Sequence, residues 1–252
     1  SDEWGMGSGK KAGIKKSDES KKHQRFYQIV KWGCGLLVVL VFMSICQVLL
    51  LRYIDPPFFL ITPFRSIVQE LSTQPPEISM HWRSFKQISP HVKKAVLAAE
   101  DQRFLTHKGF DFIELNDALK DMASGKGYRG ASTITMQVAR TVFLWPARTW
   151  IRKGLEAYYT VLLELFLSKK RILEVYLNTV DWGKGIRGVG AAARTYFHVS
   201  ADSVSKGQAA LLAAVLPSPH RWSPAKPNAL VLRRQKRILK DMHKMQLPKN
   251  NS

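Results

Sequence analysis

The feature that most constrains this 252-residue chain is an uncharged run, "WGCGLLVVLVFMSICQVLLL", from Trp32 to Leu51. As a helix it would reach roughly 30 Å, the thickness of a bilayer's hydrocarbon core. Trp32 and Tyr53 bracket it where interfacial aromatic rings sit. Ahead of it lie Lys10, Lys11, Lys15, Lys16, Lys21, Lys22, Arg25 and Lys31, whereas the segment just after it carries only Arg52 and Arg65. Lys and Arg accumulate on the cytoplasmic side of a membrane helix, so the N-terminus is expected inside and everything after residue 52 outside. A cleaved signal peptide is the competing reading; against it, the run is long and no A-x-A site follows. The expected organisation is a basic tail over 1–31, a transmembrane helix over 32–52, a connector over 53–81 and one folded domain over 82–248.

Charge and cysteine usage narrow the classes further. The formal net charge is +20, from 39 Lys and Arg against 19 Asp and Glu, which favours anionic partners such as acidic lipids or phosphorylated substrates. Both cysteines, Cys34 and Cys46, fall inside the apolar run, which leaves neither a disulfide framework nor a zinc cluster. Residues 1 to about 25 are rich in Lys, Ser and Gly and are expected to be disordered. "DPPFFLITPF" is interrupted by proline and cannot form a long helix; its Phe58, Phe59 and Phe64 could dip into the bilayer or pack beneath the domain. From about residue 86 the pattern is helical. Ser89-Pro90 makes a good helix start, "TITMQVARTVFLW" follows a glycine-rich loop, and Ser168 caps "KKRILEVYLN". "RTWIRKGLEAYYTVLLELFL", "KGQAALLAAVLPSP" and "NALVLRRQKRILKDM" supply further helices, with no alternating run long enough for a large sheet.

Four stretches could carry chemistry. In "AAEDQRFLTHKGFD", Glu100 falls at a helix C-terminus, where the macrodipole disfavours an anion; shielding by Phe104 would raise its pKa toward that of a general base. The plainer reading is a solvated Glu-Asp pair. His107 could ligate a metal with Asp101 and Asp111, or simply form hydrogen bonds. "GKGYRGASTITMQVAR" nearly matches a P-loop, but Ala131 stands in place of the lysine, so nucleotide binding is rejected. What remains is a basic, glycine-rich loop feeding a helix N-terminus, with Ser132, Thr133 and Thr135 at hand; that suits a phosphate or an ordinary cap. In "RTWIRKGLE", Arg152 and Lys153 share a helix face with Glu156, as a surface ion pair or as the edge of a cleft. In "KKRILEVYLN", Lys170 and Glu174 read as an i,i+4 pair, Ile172, Leu173, Tyr176 and Leu177 as core, and Asn178 as the end of the helix.

The order and spacing of "EDQRFLTHKG", "GASTITMQ", "RKGLE" and "KRILEVYLN" resemble the peptidoglycan glycosyltransferases, the family shared by monofunctional transglycosylases and the N-terminal halves of class A penicillin-binding proteins. The resemblance spans roughly residues 82–245, including "GVGAAARTYF" and "QAALLAAVLPSP". It implies a mainly α, lysozyme-like domain behind one N-terminal transmembrane helix, polymerising lipid II in the bacterial inner membrane with the catalytic domain periplasmic. Glu100 would be the general base that deprotonates the acceptor's 4-hydroxyl. Glu156 would be the second essential carboxylate, on the donor side. Arg140, Arg152 and Lys153 would neutralise the departing undecaprenyl pyrophosphate. Asp101, Phe104 and His107 would shape the acceptor side, Ser132, Thr133, Thr135 and Gln137 would line the cleft, and Lys170 and Asn178 would complete the substrate-binding set. Lipid II, the growing glycan chain and membrane lipids are the implied partners, with cell-wall synthesis proteins beside them and no nucleic acid. No cofactor is obligatory, though a divalent cation such as Mg could accompany the pyrophosphate.

Two residues depart from the family pattern. Met136 replaces the first glutamine of a Gln-Gln pair, which puts a polar role there in doubt, and Arg140 stands where many members have lysine, keeping the charge. No S-x-x-K follows, so a monofunctional enzyme is expected. The rivals are a membrane-bound glycoside hydrolase using the same two carboxylates and a non-catalytic basic scaffold.

Overall fold

The computed structural model of the chain describes residues 8–55 (backbone alone as far as residue 22), 82–125, 130–146 and 149–249. The expectations for Phe58, Phe59 and Phe64, and for the tip of the glycine-rich loop, lie outside these residues. The chain divides into two bodies, Ser1–Gln47 and Val48–Ser252, and the boundary falls within the first helix.

That helix, α1, runs Ser8–Tyr53. The tail was expected to be disordered, but the helix begins at Ser8. Lys and Ala are good helix formers and no proline interrupts the segment, so the helical backbone extends well ahead of the apolar run. Within α1, His23–Tyr53 is the one stretch among the described residues long and apolar enough to cross a membrane. The helix stops just ahead of Asp55, whose α conformation is disfavoured by Pro56.

The second body is built of helices: α2 (Pro90–Glu100), α3 (Phe112–Ala123), α4 (Ile134–Phe143), α5 (Trp150–Phe166), α6 (Lys169–Thr179), α7 (Val189–Phe197), α8 (Lys206–Val215) and α9 (Ala229–Asp241). A short hairpin of β1 (Asp181–Gly183) and β2 (Ile186–Arg187), paired antiparallel, precedes α7. The mainly α expectation holds; α3, α7 and the hairpin are elements that the sequence pattern did not single out. Side-chain caps satisfy the free N–H groups at most helix starts: Ser89 accepts from His91 N, Asp111 from Glu114 N, Thr133 from Met136 N, Thr149 from Arg152 N, Ser168 from Arg171 N and Asn228 from Val231 N.

Two packing groups make the core. Helix α8 presents Ala209, Ala210, Leu212, Ala213 and Ala214, all fully buried, and packs against α2 and α9. Helix α4 packs against α5 and α6, burying Ile134, Val138, Leu163, Ile172 and Leu173. Helix α6 also fastens the segments that enter the domain. Asn178 accepts from Arg83 N at 2.8 Å and donates to Arg83 O at 2.9 Å, and Glu174 accepts from Phe85 N at 2.8 Å. Arg171 donates to the Leu51 and Ile54 carbonyls, both at 2.9 Å, and pairs with Asp55 at 2.8 Å. The last turn of α1 thus has its open carbonyls capped by a guanidinium, a favourable charge for a helix C-terminus.

Candidate active site

Glu100 is the last residue of α2, as the sequence led one to expect. Its Oε2 accepts a hydrogen bond from Gln137 Nε2 on α4 at 2.9 Å, and Gln137 Oε1 accepts from the Tyr176 hydroxyl on α6 at 3.3 Å. Burial raises the Glu100 pKa above its ordinary value of 4.5. The Gln137 hydrogen bond and the charges of Arg234 and Arg140 act in the opposite direction, while neighbouring Asp101 adds to the rise. A carboxyl destabilised by burial and restrained by nearby cations is the electrostatic setting of a general base.

Asp101 turns the other way and serves as a structural hub. It is 6% exposed; Oδ1 lies 2.9 Å from His107 Nε2, and Oδ2 accepts from Ile134 N at 2.9 Å. Asp111 caps α3 through Oδ1 and pairs with Arg103 through Oδ2 at 2.8 Å. Asp101, His107 and Asp111 do come together, with candidate ligand atoms within 4.8 Å of one another. Each carboxylate oxygen is nevertheless already accepting an N–H or pairing with a side chain, so a cation would have to displace these bonds. Phe104 is buried, meets His107 edge-on with ring centroids 6.3 Å apart, and carries Lys169 Nζ 4.5 Å above its ring.

The segment leading into α4 ties this region to α5. Thr133 caps the helix and donates to Gly109 O at 2.6 Å. Gly109 (φ +85°) lies so close to α5 that a Cβ would sit 2.7 Å from Thr160 Cγ2. Thr160 in turn donates to Glu156 O at 2.7 Å. A continuous chain of contacts therefore runs from Asp101, beside the base, to the helix that carries the second acid.

Glu156 is 1% exposed and held between two cations: Arg152 Nη1 at 3.1 Å and Lys153 Nζ at 2.7 Å. One carboxylate against two cations leaves the cluster net positive. Among the described residues Arg152 Nε has no hydrogen-bond partner although it is buried, a donor still to be used. Arg140, exposed at the end of α4, places its charge toward Glu100.

Other predicted site residues have different surroundings. Thr135 is fully buried and donates to Glu164 Oε1 at 2.6 Å. Ser132 is half-buried ahead of α4. Asn178 spends its amide on the Arg83 and Glu174 main chain. Lys170 lies 5.6 Å from the Phe85 ring centroid, and Glu174, its expected i,i+4 partner, bonds Arg171 and Phe85 N. Met136 causes no loss at the carboxylate, because the glutamine that reaches Glu100 is Gln137.

Two contributors escaped the sequence reading. Tyr176 was read as core, and it is buried, but its hydroxyl points into the Glu100 network. Arg234 is the foremost cation acting on Glu100 and is anchored by Nε donating to Ala214 O at 3.1 Å. A usable signal was present: Arg234 stands three residues after Val231 and four before Ile238, on the stripe that α9 buries.

Comparison with known proteins settles the family. The transglycosylase family model matches residues 67–243. The chain belongs to the transglycosylase family. It is 46% identical over 216 residues to the biosynthetic peptidoglycan transglycosylase of Bacteroides thetaiotaomicron, covering 86% of this chain and 87% of that protein. The protein of the same name from Pseudomonas entomophila is 47% identical over 202 residues, covering 80% and 86%. That from Chromohalobacter salexigens is 44% identical over 212 residues, covering 83% and 91%. The family match begins at residue 67, ahead of residue 82, where the resemblance of the motifs begins. The mainly helical, lysozyme-like fold expected of the chain is that of the family.

Proposed function

We propose that this peptidoglycan transglycosylase polymerises lipid II into glycan strands, as a monofunctional enzyme that releases undecaprenyl pyrophosphate. In this reading Glu100 removes the proton from the 4-hydroxyl of the acceptor N-acetylglucosamine. That oxygen attacks C1 of the N-acetylmuramic acid at the end of the growing chain, the C1–pyrophosphate bond breaks, and the anomeric centre inverts. Negative charge grows on the leaving pyrophosphate, and fixed cations aimed at it stabilise the transition state more than the ground state.

The observation that carries the reading is the division of charge between the two acids. Glu100 sits where burial makes its carboxylate a stronger base, whereas Glu156 is bracketed by Arg152 and Lys153 with a buried Arg152 donor to spare. A hydrolase acting on finished glycan needs a protonated acid at a poor leaving group, and a surplus of cations there works against holding that proton. A pyrophosphate leaves as an anion and gains from the same cations. The surface fits a lipid-linked substrate: α3 and the start of α5 expose Phe112, Ile113, Leu119, Met122, Trp150 and Ile151, an apolar area that suits a bilayer. With α1 as an uncleaved anchor in the inner membrane and the basic end inside, the catalytic body lies on the periplasmic side, where the lipid-linked donor is presented.

The test supplies the full-length protein with labelled lipid II or with finished glycan. Long glycan from lipid II and no cleavage of finished glycan is the expected result; cleavage without polymerisation establishes the hydrolase. Arg152→Ala is expected to lower kcat/KM for lipid II by about 10–100-fold, the worth of one charge-assisted hydrogen bond. Lys10→Ala, in the basic tail, is the comparison. Equal loss in the two variants, measured on labelled product, removes Arg152 from donor handling.

A further inference from the structure

The hydrogen-bond chain behind Glu100 has a definite sense. An ionised carboxylate only accepts, so Gln137 must turn its NH2 group toward Glu100 and its Oε1 away. Oε1 is then met by the Tyr176 hydroxyl at 3.3 Å. Tyr176 is 2% exposed, and burial above all, with Glu100's charge next, raises its pKa well beyond the ordinary value of 10.0. Its hydroxyl therefore keeps its proton and remains a donor. Were the amide reversed, its oxygen would face the carboxylate and its NH2 group would face an O–H that must then find another acceptor. The tyrosine thereby breaks the near-symmetry of the amide.

We propose that Tyr176 is a positioning residue for Glu100: by donating to Gln137 Oε1, its hydroxyl locks the amide with an N–H aimed at the carboxylate. The proposal rests on the reading of Glu100 as the base. The charges facing Glu100 are Arg234 from α9, Arg140 from α4 and Asp101 beside it; among the described residues the Gln137 side chain bonds Glu100 and Tyr176 instead. The lock counters burial by holding the carboxylate in its ionised, proton-accepting form and by fixing which oxygen, Oε1, is free for the acceptor hydroxyl. It also gives a use to a hydroxyl buried beside the aliphatic side chains of Ile172, Leu173 and Leu177.

Tyr176→Phe removes the hydroxyl and keeps the ring. Without the lock the amide can present its oxygen to Glu100, which favours the protonated carboxyl. The acid limb of the kcat/KM profile of the full-length enzyme on lipid II is then expected to move up by about one pH unit, with activity recovering toward wild type at higher pH. A packing defect would lower the rate at every pH and leave the limb in place. Gln137→Met, similar in size but unable to donate, should move the limb at least as far, and it carries the test should Tyr176→Phe fail to fold. An acid limb superimposable on wild type in a folded variant overturns the proposal. Glu100→Gln separates the two levels: if that variant still polymerises, the assignment of the base fails; if it is inactive while the limbs coincide, only the role of Tyr176 fails.

Discussion

Glu100→Gln lowers the polymerisation rate by about 10²–10⁴-fold, the span that a positioned general base contributes, while the protein stays folded. The amide keeps the size of the carboxyl and can still accept from Gln137 Nε2, so the surrounding packing has no reason to change. What disappears is the carboxylate that takes the proton. The pH dependence of the wild type follows from the same site. Because burial raises the Glu100 pKa, kcat/KM should climb through a value above the ordinary 4.5, with the base active only once ionised. Stability runs the opposite way. Between 4.5 and the raised folded pKa the native state binds more protons at this site than the unfolded chain, so this residue's contribution falls as pH rises through that window. Glu100→Gln removes that slope and should melt at or above the wild-type temperature at pH 7. Wild-type glycan synthesis by this variant, seen on a gel of labelled product, contradicts the assignment; a large drop in melting temperature shows instead that the carboxylate is structural.

The largest effect on stability is expected at Gly188. This residue starts α7 at φ +77° and ψ 151°, a region that side chains rarely enter, and a Cβ there would sit 2.6 Å from the Asn178 carbonyl oxygen. Both obstacles are backbone, so neither can rotate away. Gly188→Ala should destabilise by about 2–6 kcal/mol, from about 1–3 for the strained backbone and about 1–3 for overpacking. For a domain of this size that is a fall of roughly 5–20 °C in Tm. The damage bears on the site because Asn178 and Tyr176 share α6, and a displaced α6 carries the tyrosine hydroxyl away from Gln137. Gly207→Ala is the comparison: nothing lies within 4 Å of its Cβ, and it should be neutral or stabilising by up to about 1 kcal/mol. Coincident melting curves for Gly188→Ala and wild type would refute this account of the turn.

The sequence disclosed the parts of the molecule governed by short-range rules. The long apolar helix was visible because twenty uncharged residues in a row are rare outside buried or membrane helices, and the helix starts at Ser89 and Ser168 were visible because a hydroxyl must meet orphan N–H groups. Glu100 stood out as a carboxylate at the wrong end of a helix. Helix α3 was missed because its face of Phe112, Ile113, Leu119 and Met122 remains exposed rather than joining a core. The hairpin was missed because β1 and β2 are three and two residues long, too short to alternate. The partners of Glu100 depend on contacts 37 to 39 residues apart and longer, which no local pattern reports: Gln137 reaches it from α4, and Tyr176 reaches Gln137 from α6. Asn178 and Thr135 carry the family's motifs, yet their polar atoms are committed to the main chain and to Glu164. A motif marks that a residue matters without separating contact with substrate from support of the fold.

The central claim is that an acid activates a sugar hydroxyl while neighbouring cations stabilise a departing diphosphate. Its most direct test is a count of lipid pyrophosphate released against disaccharide incorporated, with the anomeric configuration of the product read from the same reaction. The account predicts one lipid pyrophosphate for each disaccharide joined, with inversion at C1. Lipid II left unconsumed, or its disaccharide passed to water, would contradict it.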